Sequence, residues 1–335
     1  MRLTAVAAAA ALFALPAITQ AGDVAGFSTS GYIDVSGQVN DWDDNTAGLG
    51  FTNVGNDGDF SLNQVAVRFA KTPESGFGGV VGIVMGDATA AIPGDSMLSE
   101  GYAQFVHGPL TVIGGKFFTL AGYEVFASTG NAQVTRGQVF QLQPLSLTGV
   151  RASYKLGDMF TVTAGSVNEI DGDTTEPGED QKATELQLAV APGGGFNLYV
   201  TDYITPKKIS VAEGNPSNLM DVVASFGTGG LTLGANLDLL TYDDAVNTEK
   251  TGLAVYAGYQ FNDTFKLSGR FETVSQSDDG PVDVDSSSIT VTGGIACSKE
   301  FDLLAEVRSD TVDDSTAFDG EDSGTTLALK GIYKF

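Results

Sequence analysis

The sequence has very few of the side chains on which enzymes and metal proteins depend. Its 335 residues include a single cysteine, Cys297, and a single histidine, His107. A disulfide framework needs paired cysteines, and thiolate or imidazole metal sites need several such ligands. A histidine-activated nucleophile would have to use His107, which lies beside the turn residues Gly108 and Pro109. The sequence therefore predicts no enzyme, no metal centre and no cofactor.

Positive charge is also scarce. There are 17 Lys and Arg residues against 42 Asp and Glu residues, which gives a formal net charge of −25. A nucleic-acid-binding surface needs the opposite balance, so nucleic acid is excluded as a partner. The carboxylates cluster in predicted loops such as 169–181 and 311–323. Such clusters suit hard divalent cations, but none has the full EF-hand spacing, so a solvated anionic rim and weak cation binding both stay open.

Long hydrophobic runs are absent after residue 21. Arg2, the apolar stretch 5–18 and the small residue Ala21 predict a signal peptide over residues 1–21. No later segment approaches the roughly 18 apolar residues that a membrane-spanning helix requires. Residues 22–335 are therefore predicted to form a single domain without helical membrane spans.

The remaining chain has the period of β-strands almost throughout. Residues 231–239 show it clearly, because leucine or alanine at odd positions alternates with polar residues or glycine. Period two with one apolar side is typical of a strand that separates two media. The pattern predicts about sixteen strands, at 26–39, 59–71, 76–87, 99–108, 110–118, 147–156, 159–168, 182–191, 195–204, 218–227, 230–241, 250–260, 264–275, 286–297, 300–310 and 324–335.

The connections between these strands alternate between short and long. Short turns rich in glycine, proline and asparagine alternate with long polar connections, at 40–58, 88–98, 119–146, 169–181, 205–217, 242–249, 276–285 and 311–323. This alternation is typical of an up-and-down barrel with short periplasmic turns and long extracellular loops. A soluble secreted β-sandwich with adhesive loops, the alternative, has no reason for it. We therefore expect an all-β, antiparallel, transmembrane barrel in a Gram-negative outer membrane, closed because hydrocarbon leaves no unpaired strand edge.

Strand alternation also assigns side chains to the lumen. The predicted basic residues there are Arg68, Lys116, Arg151, Lys155, Lys266, Arg270 and Arg308, and the acidic ones are Asp34, Glu185, Asp238, Glu272 and Glu306. The long connection 119–146 adds Glu124 and Arg136. Opposed charges across a narrow aqueous pore select ions by sign. We expect Arg68, Lys116 and Arg151 to face Glu124; the alternative is that these charges only keep the lumen hydrated.

Several segments resemble a known family. These segments are GKFFTLAGYEV at 115–125, GVRASYKLGD at 149–158 and the shorter segments 60–64 and 76–79. The resemblance is to the OmpL-like putative porin family of Gram-negative bacteria. The final segment alternates with an apolar side that ends in Phe335, and only Ile332 interrupts this alternation. It resembles the terminal strand by which the barrel assembly machinery recognises outer-membrane proteins. Analogy with general diffusion porins implies a homotrimer in which 119–146, after the fifth strand, folds inward as a constriction.

The resemblance implies an outer-membrane porin for small hydrophilic solutes and ions, embedded among lipid and lipopolysaccharide. Two alternatives stay open. One is a substrate-selective channel, and the other is a structural sheath around a partner such as an electron-transfer cytochrome. A sheath would need a wide lumen without an inward loop.

Overall fold

The computed structural model describes residues 22–24, 26–41, 58–87, 97–168, 182–205, 217–242, 247–277, 284–313 and 322–335. The predicted signal peptide and most residues of the acidic loops lie outside these ranges. Within the described ranges, no helix is long and apolar enough to cross a membrane.

Seventeen strands make up nearly all of the regular structure. They are β1 Gly22–Val24, β2 Phe27–Asn40, β3 Phe60–Lys71, β4 Gly76–Met85, β5 Leu98–His107, β6 Leu110–Phe118, β7 Ser146–Leu156, β8 Phe160–Val167, β9 Ala183–Gly193, β10 Phe196–Ile204, β11 Asn218–Thr228, β12 Leu231–Thr241, β13 Glu249–Gln260, β14 Phe265–Ser277, β15 Val284–Ala296, β16 Phe301–Val312 and β17 Ser323–Lys334. The short strand β1 pairs with the start of β2.

The other sixteen strands close into a barrel. Each strand from β2 to β17 pairs antiparallel with the next, and β17 pairs back with β2. The closure confirms the predicted sixteen-stranded up-and-down barrel. The ring is completed next to Gly31, whose N–H and C=O form hydrogen bonds with the C=O and N–H of Phe335, at 2.8 and 2.9 Å. No strand edge of the ring is left for lipid, which cannot supply hydrogen bonds.

The two faces of the strands differ as the alternation predicts. In β16, Leu304, Glu306 and Arg308 are buried inside the barrel, whereas Leu303 and Val307 on the other face are 40% and 51% exposed. Large apolar side chains cover the outer face of the other strands in the same way. An apolar outer face around a polar interior is the pattern of an outer-membrane barrel rather than of a soluble sandwich.

The register of the barrel strands shifts at three places, one of which lies between Phe196 and Leu198 of β10, beside the β9–β10 turn. The register between β2 and β3 shifts at Asp34, so Asn63 and Gln64 are both buried, although they are adjacent in the chain. The register between β4 and β5 shifts after Gly82. The single interruption that the sequence suggested, Ile332, is instead a regular inward position, packed in the lumen with Tyr32 and Leu304. Bulges are invisible to a pattern that assumes strict period two.

Candidate functional site

The connection between β6 and β7 lies inside the barrel. We call residues 119–145 the lumen loop. Its first residues bind the wall formed by β10 to β12: the N–H of Leu120 donates to the Tyr203 hydroxyl at 2.8 Å, and the N–H of Tyr123 donates to Asn236 Oδ1 at 2.9 Å. The N–H of Gly122 donates to Asp221 Oδ2 at 3.2 Å. The loop therefore leaves β6 and crosses the lumen at once.

The middle of the lumen loop binds the opposite side of the barrel, at β3 and β4. A 3₁₀ turn at Ser128–Gly130 begins where the N–H and hydroxyl of Ser128 donate to Gln64 Oε1, at 3.1 and 2.9 Å. Gln64 Nε2 in turn donates to the Phe126 carbonyl at 3.1 Å. The Phe126 ring packs on Val84 of β4. The bulge in β3 is what points Gln64 at the loop.

The last part of the lumen loop runs along β14 to β17. The N–H groups of Val134 and Thr135 donate to the carboxylate of Glu306, at 2.6 and 3.0 Å. The N–H of Gln138 donates to Glu272 at 2.9 Å. Carboxylates of the wall thus satisfy backbone groups of a segment that has no sheet partner of its own. The loop is fixed to the wall along most of the circumference.

Ion pairs beneath and beside the loop add to this attachment. Glu124 of the loop pairs with Arg270 at 2.7 Å, and Arg270 lies 3.4 Å from Glu272. Nearby pairs join Arg308 to Asp310 at 2.7 Å and Lys330 to Asp34 at 3.2 Å. All these side chains are at most 5% exposed. Buried charges of both signs must be paired closely, because desolvation makes any single one costly.

Arg136 is held by the loop itself. Its Nε donates to the Val125 carbonyl at 3.0 Å and its Nη2 to the Phe126 carbonyl at 2.9 Å. Its own carbonyl accepts from Arg308 Nη1 at 2.7 Å. Arg136 therefore fixes the internal path of the loop and its contact with β16.

Glycines at inward positions of β12 and β13 receive the apolar side chains of the loop. A Cβ atom at Gly234 would overlap the ring of Tyr123, which stacks on Tyr256 with ring centroids 4.1 Å apart. A Cβ atom at Gly252 would lie 2.6 Å from Leu142 Cδ1. The missing side chains create room on the wall for the loop to dock.

Two further ion pairs cross the wall on the side of β3 to β9. Arg151, Gly165 and Glu185 lie directly opposite one another on β7, β8 and β9, and Arg151 reaches over the glycine to Glu185 at 2.7 Å. Arg68 reaches Glu100 on β5 at 2.5 Å in the same way, across Gly82 of β4. In both places a glycine on the middle strand lets charges two strands apart meet.

These pairs correct the predicted arrangement of charges. Arg68 and Arg151 do not pair with Glu124; their partners are Glu100 and Glu185, while Glu124 pairs with Arg270. The physical reason is reach, since each arginine finds a carboxylate two strands away over a glycine. The prediction that Lys116 lines the lumen is wrong. In the regular register of β6 with β7, Phe117 is opposite Leu147 and packs with it in the lumen, so the buried Lys116, one position earlier, lies on the other face of β6. Lys155 is half-buried on the inward side of β7, close to the short turn at Gly157.

A substitution in the middle strand tests this arrangement. In a Gly165→Ala variant, the new Cβ would overlap the Glu185 carboxylate and separate it from Arg151. We expect the free energy of unfolding to fall by about 1–3 kcal/mol, the usual cost of overpacking. Urea titration of the detergent-folded protein measures it. Gly293→Ala is the matched control, because a Cβ there meets nothing within 4 Å; equal stability of the two variants would contradict the proposed bridge.

Sequence reasoning missed several residues of the site. Asp221, Asp310 and Gln64 all face the loop, yet none was assigned to the lumen. Asp221 stands between Leu219 and Val223, which are inward and apolar because they pack beneath the loop. Where a loop fills the lumen, the inward side becomes a protein core and the contrast between the two faces of the strand is lost. Within the described ranges, no group of three or more potential metal ligands occurs; most acidic loop residues fall outside them.

Comparisons with known proteins agree with this architecture. Residues 26–335 match the family model described as "Putative beta-barrel porin-2, OmpL-like". Among solved structures, an anion-selective porin from Comamonas acidovorans has a TM-score of 0.66 at 12% identity, covering 92% of this chain and 99% of that one. OmpT, an outer membrane protein of Vibrio cholerae, has a TM-score of 0.63 at 14% identity, covering 95% and 100%.

OmpF of Salmonella typhi, in complex with daunomycin, has a TM-score of 0.62 at 12% identity, covering 92% of this chain and 98% of that one. Identities this low support a shared fold and do not support a shared substrate or mechanism. A search of curated proteins finds no match.

Proposed function

Because this chain belongs to the OmpL-like porin-2 family of outer-membrane β-barrels, we propose that it is a restrictive channel for passive diffusion of small hydrophilic solutes and ions. The observation that carries the proposal is the lumen loop, which crosses the polar lumen and is hydrogen-bonded to the wall along most of its circumference. A segment in this place limits the size of what passes, whereas an enzyme needs a nucleophile or an activated water. We infer a channel and not an enzyme.

We infer that the passage at the loop runs along β5 to β8, adjacent strands to which no hydrogen bond of the loop is found within the described ranges. Hydrogen bonds of the loop reach β3, β9 to β12 and β14 to β17. The charged side chains that hydrogen-bond to the loop on those later strands are almost completely buried. Arg68 differs, because its side chain is 34% exposed even though it is paired with Glu100. Half-buried Tyr102 and Gln104 lie on the neighbouring inward face of β5. Solutes would pass beside these residues.

The loop argues against the sheath alternative, since a partner protein would have to displace a segment that is hydrogen-bonded to most of the strands. A substrate-selective channel differs from a diffusion pore only in affinity at the passage. We propose the less selective form, because Arg68 and Glu100 neutralise each other and leave no net charge to capture a solute.

The partners follow from the membrane setting. We propose a homotrimer among lipid and lipopolysaccharide, with no nucleic acid partner and only weak divalent cation binding at the acidic loops. We also propose that the barrel assembly machinery reads β17, supported by the Phe335 ring. That ring lies where a Cβ of Gly31 would be, so the last residue covers the point of closure.

Single-channel recording in planar bilayers tests the proposed function. We expect stable conductance steps, and a reversal potential under a salt gradient that reports the preferred ion sign. A folded barrel, recognised by its heat-modifiable migration, that passes no current at any voltage would overturn passive diffusion.

Removing Arg68 is predicted to shift the ion preference, because it leaves the negative charge of Glu100 at the passage uncompensated. A unit charge about 5 Å from an ion in water changes its energy by roughly 0.8 kcal/mol, with opposite sign for an anion and a cation, so Arg68→Gln should lower the ratio of anion to cation permeability by about tenfold at low salt. The reversal potential measures this ratio. Arg151→Gln is the comparison, because that side chain is only 6% exposed; a larger shift there than for Arg68→Gln would place the passage elsewhere.

A further inference from the structure

We propose that Asp221 and Asp238 form a proton-binding pair that latches the lumen loop, so that loss of this proton opens the channel. The proposal rests on the proposed channel function and adds a means of regulating it. The ligand in this proposal is a proton. The site consists of the two carboxylates and of the side-chain amides of Asn236 and Gln143 that hydrogen-bond to them.

The two carboxylates are forced together by the sheet. Asp221 of β11 and Asp238 of β12 are directly opposite in the register, and both are fully buried inside the barrel. Directly opposite residues have Cβ atoms about 5 Å apart. Asn236 Nδ2 bridges the pair, donating to Asp221 Oδ2 at 2.7 Å and to Asp238 Oδ1 at 2.9 Å. Oδ1 of Asp221 has no hydrogen-bond partner.

No cation compensates the pair. Within the described ranges, neither carboxylate forms a salt bridge. The charged and titratable groups on the adjoining elements are Tyr199 and Tyr203 of β10, Lys250 and Tyr256 of β13, Tyr123 and Glu124 of the loop, and, one strand further away, Glu185, Arg270 and Glu272. Lys250 lies over the ring of Tyr242 at 5.3 Å, Glu185 is paired with Arg151, and Arg270 is paired with Glu124 and lies 3.4 Å from Glu272.

A proton shared by the two carboxylates would account for their close approach without a cation. Two adjacent buried carboxylates do not both ionise readily, because like charges repel and burial disfavours charge. A proton on Asp238 would be donated to the neighbouring Asp221 carboxylate and would remove one of the two negative charges. A metal ion is the poorer solution, since hard cations need about six oxygen ligands and the amide groups around the pair present N–H donors instead.

The pair is attached to both ends of the lumen loop. Gly122, near the start of the loop, donates its N–H to Asp221. Gln143, near its end, donates Nε2 to Asp238 Oδ2 at 2.7 Å and to Asn236 Oδ1 at 2.9 Å. A Cβ atom at Gly122 would overlap the Gln143 side chain, so the two ends of the loop lie against each other over the pair. Water cannot reach the carboxylates until these ends separate.

Linkage then fixes the direction of the effect. The closed loop holds the proton more tightly than an open loop, in which each solvated aspartate would have its ordinary pKa of about 3.9. Raising the pH above that value should therefore favour the open loop progressively, until the closed pair has also lost its proton. The channel should conduct more at alkaline than at acidic pH.

The experiment is single-channel recording on the full barrel between about pH 5 and about pH 10, a range that starts above the ordinary aspartate pKa. For the natural protein we expect the open probability or the conductance to rise at least about threefold across a single titration step. Asp221→Asn replaces the proton by an amide donor of the same shape, so this variant should stay in the low-conductance form throughout. Asp302→Asn removes a carboxylate near the short-turn rim and should keep the pH step.

The outcomes separate this proposal from the channel function. Three results would overturn the latch while leaving the channel function intact. They are a current that does not change with pH, a pH step that persists in Asp221→Asn, and a pH step whose position depends on which salt cation is present. If no current flows at any pH, amide hydrogen exchange tests the latch instead. Exchange is measured for peptides from 119–145 and corrected for the intrinsic exchange rate at each pH. Faster exchange at alkaline pH in the natural protein and not in Asp221→Asn supports the latch, and equal exchange refutes it.

Discussion

Replacing residues 120–144 by a four-residue glycine–asparagine turn should raise the single-channel conductance about three- to fivefold. The ends of the loop are already placed for such a turn: Phe118 is opposite Ser146 in the β6–β7 register, and the Thr119 N–H donates to the Leu145 carbonyl at 3.2 Å. The shortened protein would keep an unbroken hairpin.

The size of the effect follows from barrel geometry. Sixteen tilted strands, spaced about 4.8 Å apart, enclose a ring about 30 Å across, and inward side chains reduce the lumen to about 20 Å. The lumen loop occupies much of this section, because its hydrogen bonds reach β3, β9 to β12 and β14 to β17. Conductance grows with the open cross-section, so emptying the lumen should have a larger effect than any single substitution.

Ala132→Ser is the control for the loop deletion, since Ala132 is an exposed residue of the loop and its substitution keeps the loop in place. Conductance of the shortened protein equal to that of this control would show that the loop does not limit the current. Heat-modifiable migration of both proteins establishes that each barrel is closed before the comparison is made.

The sequence predicts the barrel wall closely. Every predicted strand end lies within two residues of the observed one, as for β12, predicted at 230–241 and observed as Leu231–Thr241. Strand period, turn residues and the need for closure are local or general physical rules, so they can be read from the chain. Only the three-residue strand β1 is missed, because it is too short to show a period.

The contacts of the site could not be predicted in the same way. Glu124 and Arg270 are 146 positions apart, and nothing local to either residue identifies the other as its partner. The glycines at 165, 234 and 252 look like ordinary strand glycines in the sequence. Their role depends on which side chain crosses above them, and that is set by the closed barrel and by the path of the loop.

Loss of Arg270 should be the most damaging single substitution in the lumen. Arg270 pairs with Glu124 at 2.7 Å and donates from Nη1 to the Thr135 carbonyl at 3.0 Å, and Glu272 lies 3.4 Å from its Nε. Arg270→Met leaves two carboxylates facing each other without a cation. Breaking a buried pair in this way typically costs about 3–5 kcal/mol. The barrel can reduce this cost by releasing the loop or by taking up a proton between the two carboxylates.

Stability and conductance together show whether the loop of the Arg270→Met variant stays in place or is released. The free energy of unfolding in urea should fall by about 3–5 kcal/mol if the loop stays in place; if the loop is released instead, the loss is smaller and the conductance rises. Lys334→Met is the matched control, because the Lys334–Asp302 pair is partly exposed, and such pairs contribute about 1 kcal/mol or less. A loss of stability no greater than that of the control, with unchanged conductance, would refute the role assigned to Arg270.

A double-mutant cycle identifies the cause of the damage. Glu124→Gln removes one of the two stranded charges, so adding it to Arg270→Met should recover part of the lost stability, on the order of 1–3 kcal/mol. In the protein with the shortened loop, Glu124 is absent and Arg270 faces water. Arg270→Met should then have little effect on stability. The same substitution would thus be severe in one barrel and mild in the other, as expected if Arg270 acts by holding the loop and not by supporting the wall.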